Sequence, residues 1–280
     1  FPINWEPSND TMDITDALNV NNPNIHDDKS DGNILVIGKV KTGNVNTVEN
    51  KTFEIEGELE TSYVEHAYIE PEAGSSWIED NILVIHACTQ APYMDRDDTA
   101  KILGLEKNKV RIIPSSTGGG FGSKLDVSLQ PLLGLVTLKT KKPCRLTYSR
   151  KESMISTTKR HPAVMKATIS CDKKGEILSM KFQGDFNTGA YASWGPTVAN
   201  RVPIHASGPY RIPNYQAIGR AIYTNGPISG AFRGFGVPQA AAIQETLLDQ
   251  LAEKCDIDPL EFRIMNALKD DDATVCGQIL

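Results

Sequence analysis

Residues 116–124 read Ser-Thr-Gly-Gly-Gly-Phe-Gly-Ser-Lys, and residues 230–239 read Gly-Ala-Phe-Arg-Gly-Phe-Gly-Val-Pro-Gln. Each run sets an aromatic side chain among glycines and leads into a helix-like segment. A glycine backbone can take positive φ and come within hydrogen-bond distance of a ligand. Adjacent N–H groups at a helix start attract oxo or phosphate oxygens. One such loop reads equally well as a tight strand-to-helix turn with no ligand. Two suggest a pair of backbone cradles around one polar cofactor.

Nucleotide motifs fail on spacing. A P-loop needs Lys directly after its last Gly, but Ser123 separates Gly122 from Lys124, and Leu125 follows. A dinucleotide fingerprint counted from Gly118 meets Ser123 at its final glycine position. No acidic residue closes a strand about 20 positions later, as a ribose contact requires. A nucleotide-binding domain is therefore disfavoured.

Composition narrows the classes further. The 280 residues are 40% hydrophobic and 23% charged, as in a globular protein with a real core. A net charge of −6 disfavours nucleic acid, and no apolar run reaches the ~20 residues a membrane helix needs. Cys88, Cys144, Cys171, Cys255 and Cys276 are scattered and form no C-x-x-C. Iron–sulfur and zinc sites usually need clustered thiolates, so these cysteines read as core packing in a reducing cytoplasm. The N-terminus lacks Met and a basic n-region, and reads as a fragment boundary and not as a signal peptide.

Residues 1–31, rich in Asn and Asp, read as the tail or linker of a preceding domain, and 32–280 as one domain. The apolar run 82–88 predicts a buried strand, Pro92 a helix toward Leu103, and 110–114 a strand feeding the first glycine loop. A helix is expected near 125–139, with Leu129, Leu132, Leu133 and Val136 along one side. A hairpin over 164–186 turns at Gly175. Pro238 opens a helix to Lys254 whose Ile243, Leu247, Leu248 and Leu251 form a core stripe. Asp258-Pro259-Leu260-Glu261 is a helix start, with an N-cap, Pro at N1 and an acid at N3. Hairpins mixed with helices indicate an α+β domain.

The two loops together resemble those of the xanthine dehydrogenase/aldehyde oxidase family of molybdenum hydroxylases. Further segments match in the family's order: 63–71 (Tyr-Val-Glu-His-Ala-Tyr-Ile-Glu-Pro), Thr89-Gln90, Arg160-His161-Pro162, Gly189-Ala190-Tyr191, and 258–263 (Asp-Pro-Leu-Glu-Phe-Arg). The likeness runs from about Gly32 to Leu280. It implies a xanthine oxidase-like molybdenum cofactor-binding domain of mixed and antiparallel sheets with flanking helices. The cofactor implied is molybdopterin, as such or as its cytosine dinucleotide, carrying molybdenum. Its dithiolene sulfurs hold the metal, so no protein metal ligand is expected.

By the same resemblance, Gln90 donates a hydrogen bond to a molybdenum oxo group. Gly119, Gly120, Phe121 and Gly122 meet the metal centre and pterin through their backbone, and Arg233 and Gly234 line the cofactor from the other side. Phe235 packs on aromatic substrates. Arg201 corresponds to a substrate-side arginine of purine-oxidising members, its guanidinium fork suiting a carboxylate or developing negative charge. A strand-end Gln90, a core Phe235 and a salt-bridged Arg201 are the plain alternatives. His66, placed in a family-like strand, and His161 are read as structural. Purine-oxidising members carry a glutamate where Leu125 stands, followed here by Asp126, whereas nicotinate-oxidising members share Lys-Leu-Asp. The family's catalytic glutamate has no counterpart up to Leu280, so the base is expected on a further segment or partner chain, and this chain alone is expected to be inactive.

The implied activity is hydroxylation of an aromatic N-heterocycle or an aldehyde with oxygen from water, within a cytoplasmic complex. Its other components would be a second molybdenum-domain segment, an Fe–S subunit and an FAD subunit. The alternative is a non-catalytic scaffold that keeps the fold.

Overall fold

A computed structural model describes residues 2–4, 6, 10–26 and 32–280. In chain order the elements are α1 (Ile14–Ala17), β1 (Ile34–Thr42), β2 (Phe53–Thr61), β3 (Ala73–Glu79), β4 (Ile82–Ala87), α2 (Pro92–Leu103), β5 (Val110–Pro114) and α3 (Gln130–Thr140). They continue as β6 (Cys144–Thr147), α4 (Arg150–Ser156), β7 (Ala163–Cys171), β8 (Ile177–Gly189), α5 (Gly195–His205), β9 (Asn214–Tyr223), α6 (Val237–Lys254) and α7 (Pro259–Asn266). The chain forms two compact units. The first takes the chain up to Ser62, His161–Ser229 and Gly234–Leu280; the second takes Tyr63–Arg160 and Gly230–Arg233. No helix among the described residues is long and apolar enough to cross a membrane.

The first unit is built on a five-stranded sheet in the order β1-β9-β8-β7-β2. Only β8 and β9 run parallel, and parallel neighbours need a crossover, which α5 supplies. Gly38, Gly219 and Gly184 lie side by side across three strands. A Cβ on Gly38 would come within 2.2 Å of the Ala199 carbonyl of α5, and one on Gly219 within 2.6 Å. These glycines let the helix backbone sit directly on the sheet. Helix α6 covers β2 and β7, and Met165, Ile169, Met180, Leu247, Leu251 and Phe262 form the core between them. At the edge, β2 turns Phe53, Ile55 and Leu59 toward this core and Glu54, Glu56, Glu58 and Glu60 to solvent.

In the second unit the sheet order is β5-β4-β3-β6, with β4 and β5 parallel and joined through α2. Leu83, Ile85, Leu129 and Leu133 are its core. The fold is α+β, with mixed and antiparallel sheets and flanking helices, as the sequence implies.

The predicted strands at 82–88 and 110–114 and the helices from Pro92 and Pro238 form within one residue, and the hairpin forms with its second strand running to Gly189, three residues past the expected end. Gly175 takes φ +87° in the hairpin turn. The Asp258 carboxylate accepts the Leu260 and Glu261 N–H groups at 2.9 and 3.2 Å, which caps α7.

Three expectations are corrected. Helix α3 begins at Gln130, not near 125, because the first glycine loop continues through a 3-10 turn at Ser123–Leu125 and Asp126 is extended. Its expected apolar side also splits: Leu129 and Leu133 are fully buried, whereas Leu132 and Val136 are 49% and 45% exposed. The sheet is met instead through Leu133, Gly134 and Thr137. A Cβ at Gly134 would come within 2.6 Å of Leu103 and 2.9 Å of Leu83, and the Thr137 hydroxyl bonds that of Ser76 at 2.6 Å. His66 lies in no strand, since only a single bridge pairs Val64 with Arg160 beside it.

Within residues 1–31, α1 packs against Ile222 and Ile34, and Thr11 and Asn225 exchange hydrogen bonds, each 2.8 Å long. Residues 1, 5, 7–9 and 27–31 of this stretch lie outside the described residues.

Candidate functional site

The second unit gathers Gln90, the first glycine loop and the start of the second. Gln90 follows β4, and its N–H bonds the Lys124 carbonyl at 2.9 Å. Its side-chain oxygen accepts the Gly122 N–H at 3.0 Å. A donor facing Oε1 fixes the orientation of the amide, and among the described residues Nε2 has no partner. Gln90 is exposed, so this donor faces outward, ready for an external acceptor.

Across the loop Gly119, Phe121 and Gly122 take φ of +98°, +51° and +112°. Gly234, Phe235 and Gly236 repeat the pattern at +95°, +48° and +87°. A phenylalanine at such φ is a true outlier, and strain of this kind costs about 1–3 kcal/mol and concentrates at functional sites. A backbone that alternates right- and left-handed residues turns neighbouring N–H groups toward one side, as in anion-binding nests. Among the described residues the Gly119, Gly120 and Phe121 N–H groups make no hydrogen bond. Phe121 itself is 48% exposed.

The glycines have a second reason to be there. A Cβ on Gly118 would come within 2.6 Å of Glu70, on Gly120 within 2.4 Å of the Gln90 amide oxygen, and on Gly122 within 2.6 Å of the Ala231 carbonyl. Sequence reasoning took these glycines as room for a ligand. Much of that room is used by the protein's own side chains and by the second loop.

The two loops are joined directly. The Arg233 N–H bonds the Phe121 carbonyl at 2.8 Å. Behind this join Phe232 lies between an imidazole and a guanidinium. The His66 ring stacks on it at 4.0 Å between centroids, and the Arg160 guanidinium sits 3.8 Å from its centroid. At those separations they occupy opposite faces of the ring. His66 Nε2 donates to the Ala231 carbonyl at 2.8 Å and Arg160 Nη2 to the Arg233 carbonyl at 3.0 Å. Burial holds the His66 imidazole below its ordinary pKa, and its Nδ1 has no partner among the described residues. It is therefore a neutral, Nε2-protonated imidazole. This structural role agrees with the reading of His66, although its place in a strand does not.

The start of the first loop is clamped from below. Lys124 is buried, and its ammonium donates to the Glu70 carboxylate at 2.7 Å and to the Glu70 carbonyl at 3.0 Å. The same carboxylate oxygen accepts the Gly118 N–H at 2.7 Å. Lys124 Nζ also lies 4.6 Å from the centre of the Tyr68 ring. Burial, followed by a hydrogen bond to Glu72, pushes the Tyr68 phenol up to about 12, so it stays protonated and donates to that carboxylate. Near Gln90, Asp95 is fully buried on α2 and accepts from Gln130 Nε2 at 2.9 Å. Burial pushes its carboxyl up to about 6, and hydrogen bonds from Thr89 and Gln130 offset only part of that rise.

The first unit holds the remaining predicted residues. Gly234, whose Cβ would come within 2.6 Å of Pro238, and Gly236, packed on Val198 and Val202, set the turn into α6. Phe235 sits in that turn. The Arg201 guanidinium on α5 lies 5.9 Å from its ring centroid, and Trp194 meets it edge-on at 5.7 Å. Among the described residues Arg201 makes no salt bridge. One turn on, His205 is held below its ordinary pKa by partial burial and then by the Arg201 charge.

Trp194, Phe232 and the Glu70–Lys124 pair were missed in the sequence. Phe232, Glu70 and Lys124 lie inside matched segments and Trp194 follows the Gly189-Ala190-Tyr191 match, but nothing in the sequence shows their contacts. No group of three His, Cys, Asp or Glu side chains among the described residues could hold a metal ion.

Known proteins match this architecture. A sequence model described as the molybdopterin cofactor-binding domain matches residues 25–267. The nicotinate dehydrogenase large molybdopterin subunit of Eubacterium barkeri is 38% identical over 280 residues, covering 99% of this chain and 65% of that protein. The xanthine dehydrogenase molybdenum-binding subunit of Escherichia coli is 31% identical over 86% of this chain and 33% of its own length. The aldehyde oxidoreductase structure of Desulfovibrio gigas superposes with a TM-score of 0.93 at 27% identity, over 98% of this chain and 30% of that one. The chain thus spans less than two thirds of the length of each of these relatives.

Proposed function

The chain belongs to the molybdopterin cofactor-binding domain family, and from that membership we propose that it is the first molybdenum-domain segment of a hydroxylase. The reaction inserts an oxygen atom from water into a C–H bond of an aromatic N-heterocycle or an aldehyde. The observation that carries this reading is the Gln90 amide, its oxygen held by the Gly122 N–H and its Nε2 left as an outward donor.

The residues present suit such a group. They offer Nε2 of Gln90 and the N–H groups of Gly119, Gly120 and Phe121, unpaired among the described residues, donors suited to the oxo and phosphate oxygens of a molybdopterin, with or without its cytosine nucleotide. When bound, that group supplies the two-electron redox chemistry, and the protein supplies orientation and electrostatics. Gln90 would donate to an oxo oxygen, the Phe121–Gly122 backbone would hold the oxo side and the pterin, and Arg233 with Gly234 would line the cofactor. Phe235, with Trp194 against its edge, offers a face for a flat heterocycle. Arg201 offers a guanidinium to a substrate carboxylate or to charge developing on the ring. A glutamate on a further segment or partner chain would act as base, and Fe–S and FAD components would carry electrons away, in a cytoplasmic complex.

Among substrates, a nicotinate-like carboxylate is preferred over xanthine. Leu125 stands where purine-oxidising members direct a glutamate, and a buried hydrogen-bond partner lost in this way costs about 1–3 kcal/mol. Steady-state kinetics on the complex purified from its native source, with its molybdenum measured, test both parts. Stoichiometric molybdenum and a higher kcat/KM for nicotinate support the reading, and Leu125→Glu should shift the ratio toward xanthine. A complex without molybdenum overturns the cofactor assignment. A ratio that favours xanthine and does not respond to Leu125→Glu overturns the substrate assignment.

A further inference from the structure

Cys171 and Cys255 meet in the first unit with their sulfur atoms 3.4 Å apart. Both are free thiols. They are separated by 84 positions in the chain, so the packing of α6 over β7 brings them together, and no local motif does. Cys171 ends β7 and is fully buried, while Cys255 follows the last turn of α6 and is partly exposed. Each backbone is fixed. The Cys171 carbonyl accepts the Thr52 N–H at 3.0 Å, and the Cys255 N–H bonds the Leu251 and Ala252 carbonyls, both at 3.1 Å. Among the described residues no other thiol contacts either sulfur. The glycine loops, Gln90, Arg201 and Phe235 make no use of this pair.

We propose that Cys171 and Cys255 form a site of oxidative modification, at which hydrogen peroxide converts the thiol pair into an intramolecular disulfide joining β7 to the end of α6. The partly exposed Cys255 reacts first, as its thiolate. Its sulfur bonds one peroxide oxygen, the O–O bond breaks, and the other oxygen leaves as water after taking up a proton, so that Cys255 becomes a sulfenic acid. The Cys171 sulfur then attacks the Cys255 sulfur. The S–S bond forms, the S–O bond breaks, and a second water leaves with the Cys171 proton. Two thiols and one peroxide give one disulfide and two waters, with two electrons passing from sulfur to peroxide oxygen.

Burial, and then the neighbouring Cys255 and Asp172, raise the Cys171 thiol above its ordinary pKa. In the reduced pair the Cys171 thiol therefore stays protonated. The close second sulfur gives the sulfenic acid an intramolecular partner at high effective concentration, so the disulfide forms in preference to further oxidation. Closing so long a loop constrains the unfolded chain and raises thermal stability.

The test uses the full chain carrying Cys276→Ser, which removes the exposed thiol, treated with millimolar hydrogen peroxide. The expected result is a loss of two hydrogen masses, a non-reducing peptide that links the segments around 171 and 255, a thermal midpoint raised by several degrees, and reversal by dithiothreitol. Cys255→Ser should show none of these and should keep Cys171 as a thiol. Sulfinic or sulfonic acid on Cys255 with no linked peptide overturns the proposal. So does a linkage from either cysteine to another, or a pair still reduced once the partly exposed Cys144 has reacted.

Discussion

Gln90 and Gly122, 32 positions apart in the chain, are tied by one hydrogen bond of 3.0 Å from the Gly122 N–H to the Gln90 amide oxygen. The bond orders the loop and also decides which end of the amide remains for a ligand. The two tasks separate in mutants. Gln90→Glu keeps an acceptor for Gly122 but loses the outward donor, and it should retain the folding midpoint while kcat of the assembled enzyme falls about 10²-fold, the size of a lost oxyanion donor. Gln90→Ala should lose both. Thermal unfolding beside steady-state rates checks the pair.

Glycines of the first loop should divide in the same way. Alanine at Gly122 must adopt φ +112° and pushes its Cβ to 2.6 Å from a backbone carbonyl. A loss of about 2–4 kcal/mol is expected. At Gly104, the αL cap of α2, φ is +67° but nothing lies within 4 Å of a Cβ, so alanine there should cost about 1 kcal/mol. Alanine at Gly120 would have the Gln90 side chain as its nearest neighbour, and that side chain can move. It should lower activity with less than about 1 kcal/mol of stability lost. Urea unfolding of the three variants ranks these costs.

Removing one member of the Glu70–Lys124 pair should cost more than removing both. Lys124→Met leaves Glu70 without its ammonium and the loop without its clamp, for a loss of about 3 kcal/mol. The double variant Glu70→Met, Lys124→Met should recover part of that loss. Denaturant midpoints for the full cycle give the coupling.

Asp95 should make stability depend on pH in the acidic range. Its folded pKa of about 6 lies above the usual 3.8 of an aspartate, so its contribution is fully present below that unfolded value and is lost as pH rises through 6. Asp98 and Asp126 add to the penalty on its charged form. Asp95→Asn, which can still accept from Gln130, should therefore be more stable than the wild type by about 1–3 kcal/mol at pH 8. The difference should shrink toward zero near pH 4. Denaturation at both values measures it.

The legible parts of this molecule were those fixed by neighbours in sequence. Pro92, Pro238 and the Asp258 cap mark helix starts because each acts on the backbone within a few residues. The strand at 82–87 shows because its run is apolar but for His86. The start of α3 was hidden, since nothing local says that the glycine loop will continue through a 3-10 turn. Its buried side was hidden too, because Gly134 meets the sheet where a sequence reader looks for leucines. At the site, Gln90 and the Phe-Gly pairs were visible through their neighbours in the chain. The Phe232 stack, the Lys124 clamp and the Cys171–Cys255 contact each join residues dozens of positions apart, and only tertiary packing brings them together.

The four glutamates that β2 turns outward bear on how copies of this chain meet one another. An edge strand carries unpaired backbone groups that another strand can zip onto. Two such edges approaching antiparallel would bring rows of carboxylates into register at strand spacing, each row only partly neutralised by Lys51 and Lys166. Coulomb repulsion then acts before any ladder can start. The sheet border is in this sense guarded by charge.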